Sequence, residues 1–114
     1  MILMRKVLIT EECMIFVNSN DQKVIKKFQY LLQILIEQKI VHSDIIKKLV
    51  GTPFYELRIK VNQEFRIILF TNDHENFAES SNIILLNGFI KKASKDYIKA
   101  VATAKTLILK YKSK

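Results

Sequence analysis

Four basic side chains in two short segments are of the types that metal-free cleavage of a phosphodiester requires. Arg58 and Arg66 stand within FYELRIKVNQEFRIILF, residues 54–70, and Lys91 and Lys92 follow the run IILLNGF. The planar fork of an arginine donates two hydrogen bonds to a phosphate, and lysines among other cations serve as proton donors or acceptors. In RNA cleavage a 2′-hydroxyl attacks the adjacent phosphate, and cationic groups stabilise the negative charge that develops.

The two arginines belong to a predicted β-hairpin. Polar and apolar residues alternate near 54–61 and again near 65–71, with turn-type residues between them. A two-residue loop would mix polar and apolar groups on both faces of the hairpin. A three-residue loop at 62–64 pairs Ile59 with Ile67 and makes one face wholly apolar, so we predict this loop.

The opposite face of the predicted hairpin carries the charge. In the three-residue register Lys60 lies opposite Arg66, and Arg58 lies opposite Ile68. Like charges set opposite each other are unfavourable by up to about 1 kcal/mol, unless the face is wet or binds an anion. Glu56 on the same face partly neutralises Arg58, so a solvated face and an anion-binding face both remain open.

The remaining elements follow from apolar periodicity and from capping residues. The run at residues 83–89 is apolar on both faces, as in a central strand. The order of elements predicts one α+β domain over residues 1–114, with helices on one face of a small, twisted, mainly antiparallel sheet. The other predicted elements are extended segments at 5–10 and 13–17, a helix at 22–39, a shorter helix from Ser43 to Gly51, and a last helix from Ser94 to about Tyr111.

Composition restricts the partners and the compartment. The formal net charge of +8 favours nucleic acid, an acidic protein or a membrane surface as partner. Because Cys13 is the only cysteine and the first residues do not read as a secretory signal, we expect a reduced, cytoplasmic setting. No apolar run approaches the length that spans a bilayer, and the apolar stripe of the lysine-rich last helix is needed for the core, so no membrane partner is expected.

Other chemistries lack the residue patterns that they need. The sequence has no Gly-rich phosphate loop and no spacing of His, Cys, Asp and Glu that is typical of a metal site. His74 stands between two acidic residues in a polar loop, and Ser80 and Ser81 have no evident base. We therefore expect neither a metal nor a small-molecule cofactor.

Taken together, the blocks YELR, a turn, FRI, LLNGF and the following KK, and a lysine-rich last helix resemble the RelE/HigB family of bacterial type II toxins. The resemblance covers roughly residue 23 to the C-terminus. It implies a ribosome-dependent endoribonuclease that cleaves mRNA without a metal, inhibits translation, and is neutralised by a cognate antitoxin, expected to be a helix-turn-helix protein. It also implies the RelE-like fold, with two helices in the N-terminal half and one at the C-terminus.

The resemblance assigns roles to individual residues. Arg58 matches the basic position of the YELR block, Arg66 the arginine that contacts the scissile phosphate, and Lys91 and Lys92 the basic pair. The catalytic set is thus Arg58, Arg66, Lys91 and Lys92. RNA-binding roles are expected for Lys60, Lys95, Tyr97 and Tyr111.

Two departures from the family leave other functions open. Many relatives have a proline where Tyr97 stands, and neither histidine of this chain matches a family histidine, so the general base has no candidate. The alternatives are a ParE-like toxin that inhibits DNA gyrase without nuclease activity, and a catalytically inactive relative that binds RNA.

Overall fold

Five strands and three helices make up the computed structural model, which describes residues 4–112. The predicted α+β class is confirmed, whereas residues 1–3 and 113–114 of the predicted domain lie outside the described residues. The elements are β1 (Lys6–Ile9), α1 (Glu11–Asn18), α2 (Gln22–Glu37), β2 (Ile46–Lys48), β3 (Phe54–Val61), β4 (Gln63–Thr71), a 3₁₀ turn at Phe77–Glu79, β5 (Asn82–Ile90) and α3 (Asp96–Lys112).

The strands form one sheet in the order β1-β5-β4-β3-β2. β5 pairs with β4, β4 with β3, and β3 with β2, all antiparallel, while β1 pairs with β5 in parallel. The sheet is therefore mainly antiparallel, as predicted, and the strand predicted at 83–89 lies beside the strand predicted at 65–71. This pairing brings the end of β5 close to the β3–β4 hairpin.

Both faces of the sheet are covered, which differs from the expected single layer of helices. α1 and α2 pack on one face, over a core that includes Phe28, Leu57 and Leu85. α3 packs on the other face, where Ala100 and Ala104 meet Ile84 and Leu86 of β5 among other residues. The reason lies in β5, since a strand that is apolar on both faces needs cover on both sides.

The segment predicted as a strand at 13–17 is part of helix α1, so that prediction is wrong. Thr10 caps the helix, because its hydroxyl accepts a hydrogen bond from the backbone N–H of Cys13 at 3.1 Å. Cys13 and Val17 are buried one helical turn apart. The cap and this four-residue spacing outweigh the β-branched composition of the segment.

The short helix predicted from Ser43 to Gly51 is also wrong, because this region holds strand β2. Ile46 is buried opposite Leu57 of β3, and Lys47 and Lys48 face solvent. By pairing with β3, this edge strand satisfies backbone groups of β3 that a separate helix would leave without partners. Its three-residue length and its lysines are typical of protected sheet edges.

The β3–β4 hairpin has a different register from the predicted one. Asn62 alone separates the paired residues Val61 and Gln63, and it adopts a left-handed backbone with a φ of 62°. The shift of two residues preserves which side chains share a face. Arg58 therefore lies opposite Arg66, Lys60 opposite Glu64, Ile59 opposite Phe65, and Leu57 opposite Ile67.

Helix α3 begins at Asp96, two residues after the predicted cap at Ser94, and its end near Tyr111 is confirmed. The Asp96 carboxylate accepts hydrogen bonds from the backbone N–H groups of Lys92 and Ala93 at 2.7 and 2.9 Å. These bonds fix the connection between β5 and α3. Lys91 and Lys92 therefore stand in an ordered segment at the rim of the sheet.

Arg5 fastens the N-terminal segment to the rest of the fold. Its buried side chain donates to the carbonyl oxygens of Leu35, Gln38 and Lys39 around the end of α2. It also donates to those of Phe77 and Ser80, and its guanidinium lies 4.0 Å from the centroid of the Phe77 ring. Carbonyls at the end of α2 thereby gain partners from a cation.

We predict that Gly88→Ala destabilises the protein by about 1–3 kcal/mol, the usual cost of overpacking a core. A Cβ at residue 88 would lie 2.1 Å from Cδ2 of Phe16, which packs against this strand. Urea unfolding measures the change. In a Phe16→Ala background the same substitution should cost less, and an equal cost in both backgrounds would contradict the proposed clash.

Candidate functional site

A buried ion pair between Glu56 of β3 and Arg66 of β4 forms the centre of the candidate site. Nε of Arg66 lies 2.8 Å from Oε1 of Glu56, and each residue is only 2% exposed. Arg66 also donates to Oε1 of Glu64 and to the carbonyl oxygen of Phe65, both at 3.1 Å. The hydrogen bond from Arg66 lowers the pKa of Glu64.

Tyr97 lies in the first turn of α3, and it contacts this pair from the helix that covers this face of the sheet. Its hydroxyl donates to Oε1 of Glu56 at 2.7 Å and accepts from Nε of Arg66 at 3.2 Å. Burial and the hydrogen bond to Glu56 raise the pKa of Tyr97, so the phenol keeps its proton at neutral pH. We call Glu56, Arg66 and Tyr97 the central cluster.

This geometry corrects the expected location of Arg66. The sequence placed its side chain on a solvated or anion-binding face, whereas all three of its guanidinium nitrogens have partners within the protein. A guanidinium that is paired in this way and only 2% exposed is shielded from a phosphate in solution. Arg66 therefore acts in this structure as a group that holds β3, β4 and α3 together.

Arg58 differs from Arg66 in having spare hydrogen-bonding capacity. Its Nε lies 3.6 Å from Oε1 of Glu56, beyond hydrogen-bond range, and has no hydrogen-bond partner. Its side chain is 21% exposed, so the guanidinium is held at the boundary between the central cluster and solvent. An arginine in this position can form a paired contact with a phosphate.

Lys91 brings a second cation close to the central cluster. Its backbone N–H donates to the carbonyl oxygen of Glu64 at 2.7 Å, which ties the end of β5 to the hairpin. Its Nζ lies 5.9 Å from the ring centroid of Tyr97, within the range of a cation–π contact. Arg58 and Lys91 therefore both lie close to the central cluster, Arg58 beside Glu56 and Lys91 beside Tyr97.

The other predicted site residues are more dispersed. Lys60 is exposed on β3 opposite Glu64, and Lys92 is exposed after β5. Lys95 lines a separate groove of about 510 Å³ between the end of β5 and α3. Tyr111 lies fourteen residues after Tyr97 in α3, about 21 Å along the helix axis, and its hydroxyl donates to Glu12 of α1 at 2.7 Å.

Sequence reasoning missed the importance of two acidic residues. Glu56 was noted only as a neighbour that neutralises Arg58, yet it forms an ion pair with Arg66 and accepts a hydrogen bond from Tyr97. Glu64 was assigned to the loop, yet it pairs with Arg66. Strand alternation carried a signal for Glu56, because it places this residue on the same face as both arginines.

Residues 16–108, well over half of the chain, match the sequence model of a family described as phage-derived Gp49-like proteins (DUF891). The chain belongs to this family. Gp49-like proteins are toxin-like and are common in toxin–antitoxin systems, which confirms the coarser part of the resemblance drawn from the sequence. A search among curated proteins found no match.

The region matched to the Gp49-like family includes the central cluster, Arg58 and both lysines after β5. Tyr111 lies outside it. Among residues 4–112, no group of three or more His, Cys, Asp or Glu side chains is placed to hold a metal ion. Within the same range, no helix is long and apolar enough to cross a membrane.

We predict that Arg66→Met destabilises this Gp49-like protein by about 3–5 kcal/mol, because it leaves the Glu56 carboxylate buried without its cation. Adding Glu56→Met removes the stranded charge and should recover much of the loss. Urea unfolding of the two single variants and the double variant measures the coupling. A single-variant cost below about 1 kcal/mol would contradict the inferred pairing, since that is the range of exposed pairs.

The raised pKa of Tyr97 predicts how its contribution to stability depends on pH. The folded state holds the phenolic proton more tightly than the unfolded state, so this contribution is complete below the ordinary pKa of 10.0 and decreases as pH rises through the folded pKa. The difference in free energy of unfolding between the wild type and Tyr97→Phe should therefore shrink from pH 9 to pH 11. Denaturant titrations across this range measure it. Titrating lysines are common to both proteins, and a difference that stays constant would rule out the linkage.

Proposed function

We propose that this Gp49-like protein is the toxin of a toxin–antitoxin system and a ribosome-dependent endoribonuclease that cleaves mRNA without a metal. The observation that carries the proposal is the position of Arg58. Its Nε lies 3.6 Å from Glu56 of the central cluster without a hydrogen-bond partner, and its side chain is partly exposed. Lys91 lies beside Tyr97 of the same cluster. Family membership supports the toxin-like part of the proposal.

The proposed reaction is attack of an RNA 2′-oxygen on the adjacent phosphorus. The 2′-hydroxyl loses its proton to water as the new bond forms a 2′,3′-cyclic phosphate, and the bond to the 5′-oxygen breaks as that oxygen takes up a proton. Arg58 binds the phosphate and stabilises its growing charge, and the half-buried Lys91 and the exposed Lys92 add positive potential at the rim. Tyr97 donates its own proton to Glu56, so it helps to position the cluster beside Arg58, and water supplies the proton to the leaving oxygen.

Arg66 and Glu56 have a different role in this proposal. Because Arg66 is buried and paired within the protein, it positions Tyr97 and Glu56 and does not contact the phosphate. The ribosome would orient the mRNA strand, which suits an exposed site with few fixed contacts. The cognate antitoxin, expected to be a helix-turn-helix protein, would neutralise the toxin by covering the basic surface with an acidic or mixed segment.

One observation favours a second candidate, a ParE-like toxin that inhibits DNA gyrase without nuclease activity. The arginine that matches the phosphate-binding position of the nuclease family is buried and paired here. Mapping mRNA 5′ ends after induction separates the candidates. New ends within translated messages support the nuclease, and DNA damage signalling without such ends supports the gyrase inhibitor.

We predict that Arg58→Ala lowers the rate of mRNA cleavage on ribosomes by about 10²–10³-fold, the usual effect of losing one donor to the developing oxyanion. Lys91→Glu with Lys92→Glu should abolish cleavage with little change in thermal stability, because both lysines lie at the rim. Cleavage is followed by primer extension on a translated message. Lys47→Ala, which removes an exposed cation from β2, is the control and should cleave at the wild-type rate. Wild-type cleavage by a folded Arg58→Ala variant would remove Arg58 from the mechanism.

A further inference from the structure

A second concave surface lies at the edge of β3 next to Arg58, and the proposed chemistry does not use it. It is a pocket of about 340 Å³ between α2 and β3, and we call it the edge pocket. Three cations and one aromatic ring line it, namely Lys27 and Tyr30 from α2 and Arg58 and Lys60 from β3. Its size is at the lower end of the usual range for small-ligand sites.

Tyr30 is the unusual residue of the edge pocket. It is 61% exposed on a helix whose other apolar residues are mostly turned to the core. The ring contact described for it is with Nζ of Lys27, at 5.7 Å from the ring centroid. An exposed aromatic ring beside flexible cations is the combination on which proteins stack the bases of single-stranded nucleic acid.

Arg58 connects the edge pocket to the candidate catalytic site. It lines the pocket, and its Nε is buried without a hydrogen-bond partner at 3.6 Å from the carboxylate of Glu56. A phosphate bound by this guanidinium would therefore lie between the two sites. Lys27 and Lys60, both exposed, can neutralise a neighbouring phosphate.

We infer that the edge pocket binds one nucleotide of a single RNA strand. Its base stacks on Tyr30, and the adjoining phosphates lie against Lys27, Lys60 and Arg58. This inference rests on the proposed function, since it supplies a subsite beside the phosphate that is cleaved. An acidic peptide would pair with the same cations but would gain nothing from a flat ring, so Tyr30 favours RNA.

Asp44 is the acidic group that lines the edge pocket. Its side chain is 81% exposed, and one carboxylate oxygen lies 3.5 Å from Nδ1 of His42. Water and this neighbour weaken its repulsion of a phosphate. Asp44→Asn should therefore strengthen RNA binding slightly.

The experiment compares two fluorescent probes of equal length, a single-stranded RNA and an oligonucleotide that lacks bases, by anisotropy at fixed salt. Tyr30→Ala should weaken binding of the RNA by about 5- to 150-fold, the loss of one base–aromatic stack, and leave binding of the abasic probe unchanged. Tyr30→Phe keeps the ring and should bind both probes as the wild type does.

The lysines of α2 offer a matched control for charge. Lys26 and Lys27 are adjacent, exposed and identical in charge, but only Lys27 lines the edge pocket. Lys27→Ala should weaken binding of both probes and reduce the salt dependence, and Lys26→Ala should have a smaller effect. Circular dichroism and urea unfolding verify that the variants fold. Because Lys26, Lys27 and Tyr30 are exposed, their substitution should leave the fold intact.

The outcomes distinguish this inference from the proposed function. Equal RNA binding by the wild type and folded Tyr30→Ala overturns the edge-pocket inference, even if the protein cleaves mRNA. A loss confined to the base-bearing probe supports it, even if no cleavage occurs on ribosomes and the proposed function fails. An equal loss for both probes would reduce the pocket to a general anion surface and would also overturn the inference.

Discussion

The pairing of Glu56 with Arg66 is the constraint on which the rest of this structure depends. Two opposite charges buried in a sheet lose their hydration, and they are tolerated only when hydrogen bonds replace the lost water. The chain supplies these bonds from two elements, through Tyr97 of α3 and through Glu64 and the Phe65 carbonyl of β4. The position of α3 on the sheet therefore depends on this charged pair. The end of β5 is held next to it by the backbone hydrogen bond from Lys91 to Glu64.

This constraint separates the positive charges of the molecule into two groups. Arg66 is enclosed and serves the fold, whereas Arg58 and the lysines at the rim keep their charge available to an anionic partner. The arginines face each other across one antiparallel pair, yet their environments differ because Arg58 lies near the edge and Arg66 on an interior strand. A sequence motif that reads both positions as phosphate ligands does not distinguish them.

Local pattern was enough to predict some of the fold. The helix that became α2 and the strands β3 and β5 were expected from their periodicity, and the face assignment of the hairpin survived a wrong register because the error was an even number of residues. α1 and β2 were predicted wrongly. The cap at Thr10 favours a helix despite the β-branched composition of α1, and the free edge of β3 favours a strand at β2. The burial of Arg66 was beyond local reasoning, because it results from α3 docking on that face thirty residues later in the chain.

The Arg5 contacts bear on the order in which the chain assembles. Arg5 and Ser80 are separated by 75 residues, and β1 pairs with β5. During synthesis this segment emerges before β5, so only its contacts with the end of α2 can form until β5 has been made. The local hairpin and α2 can form early, whereas closing this long loop is the slow, entropically costly step that high contact order implies. Strand β1 therefore leaves the ribosome well before the strand with which it pairs.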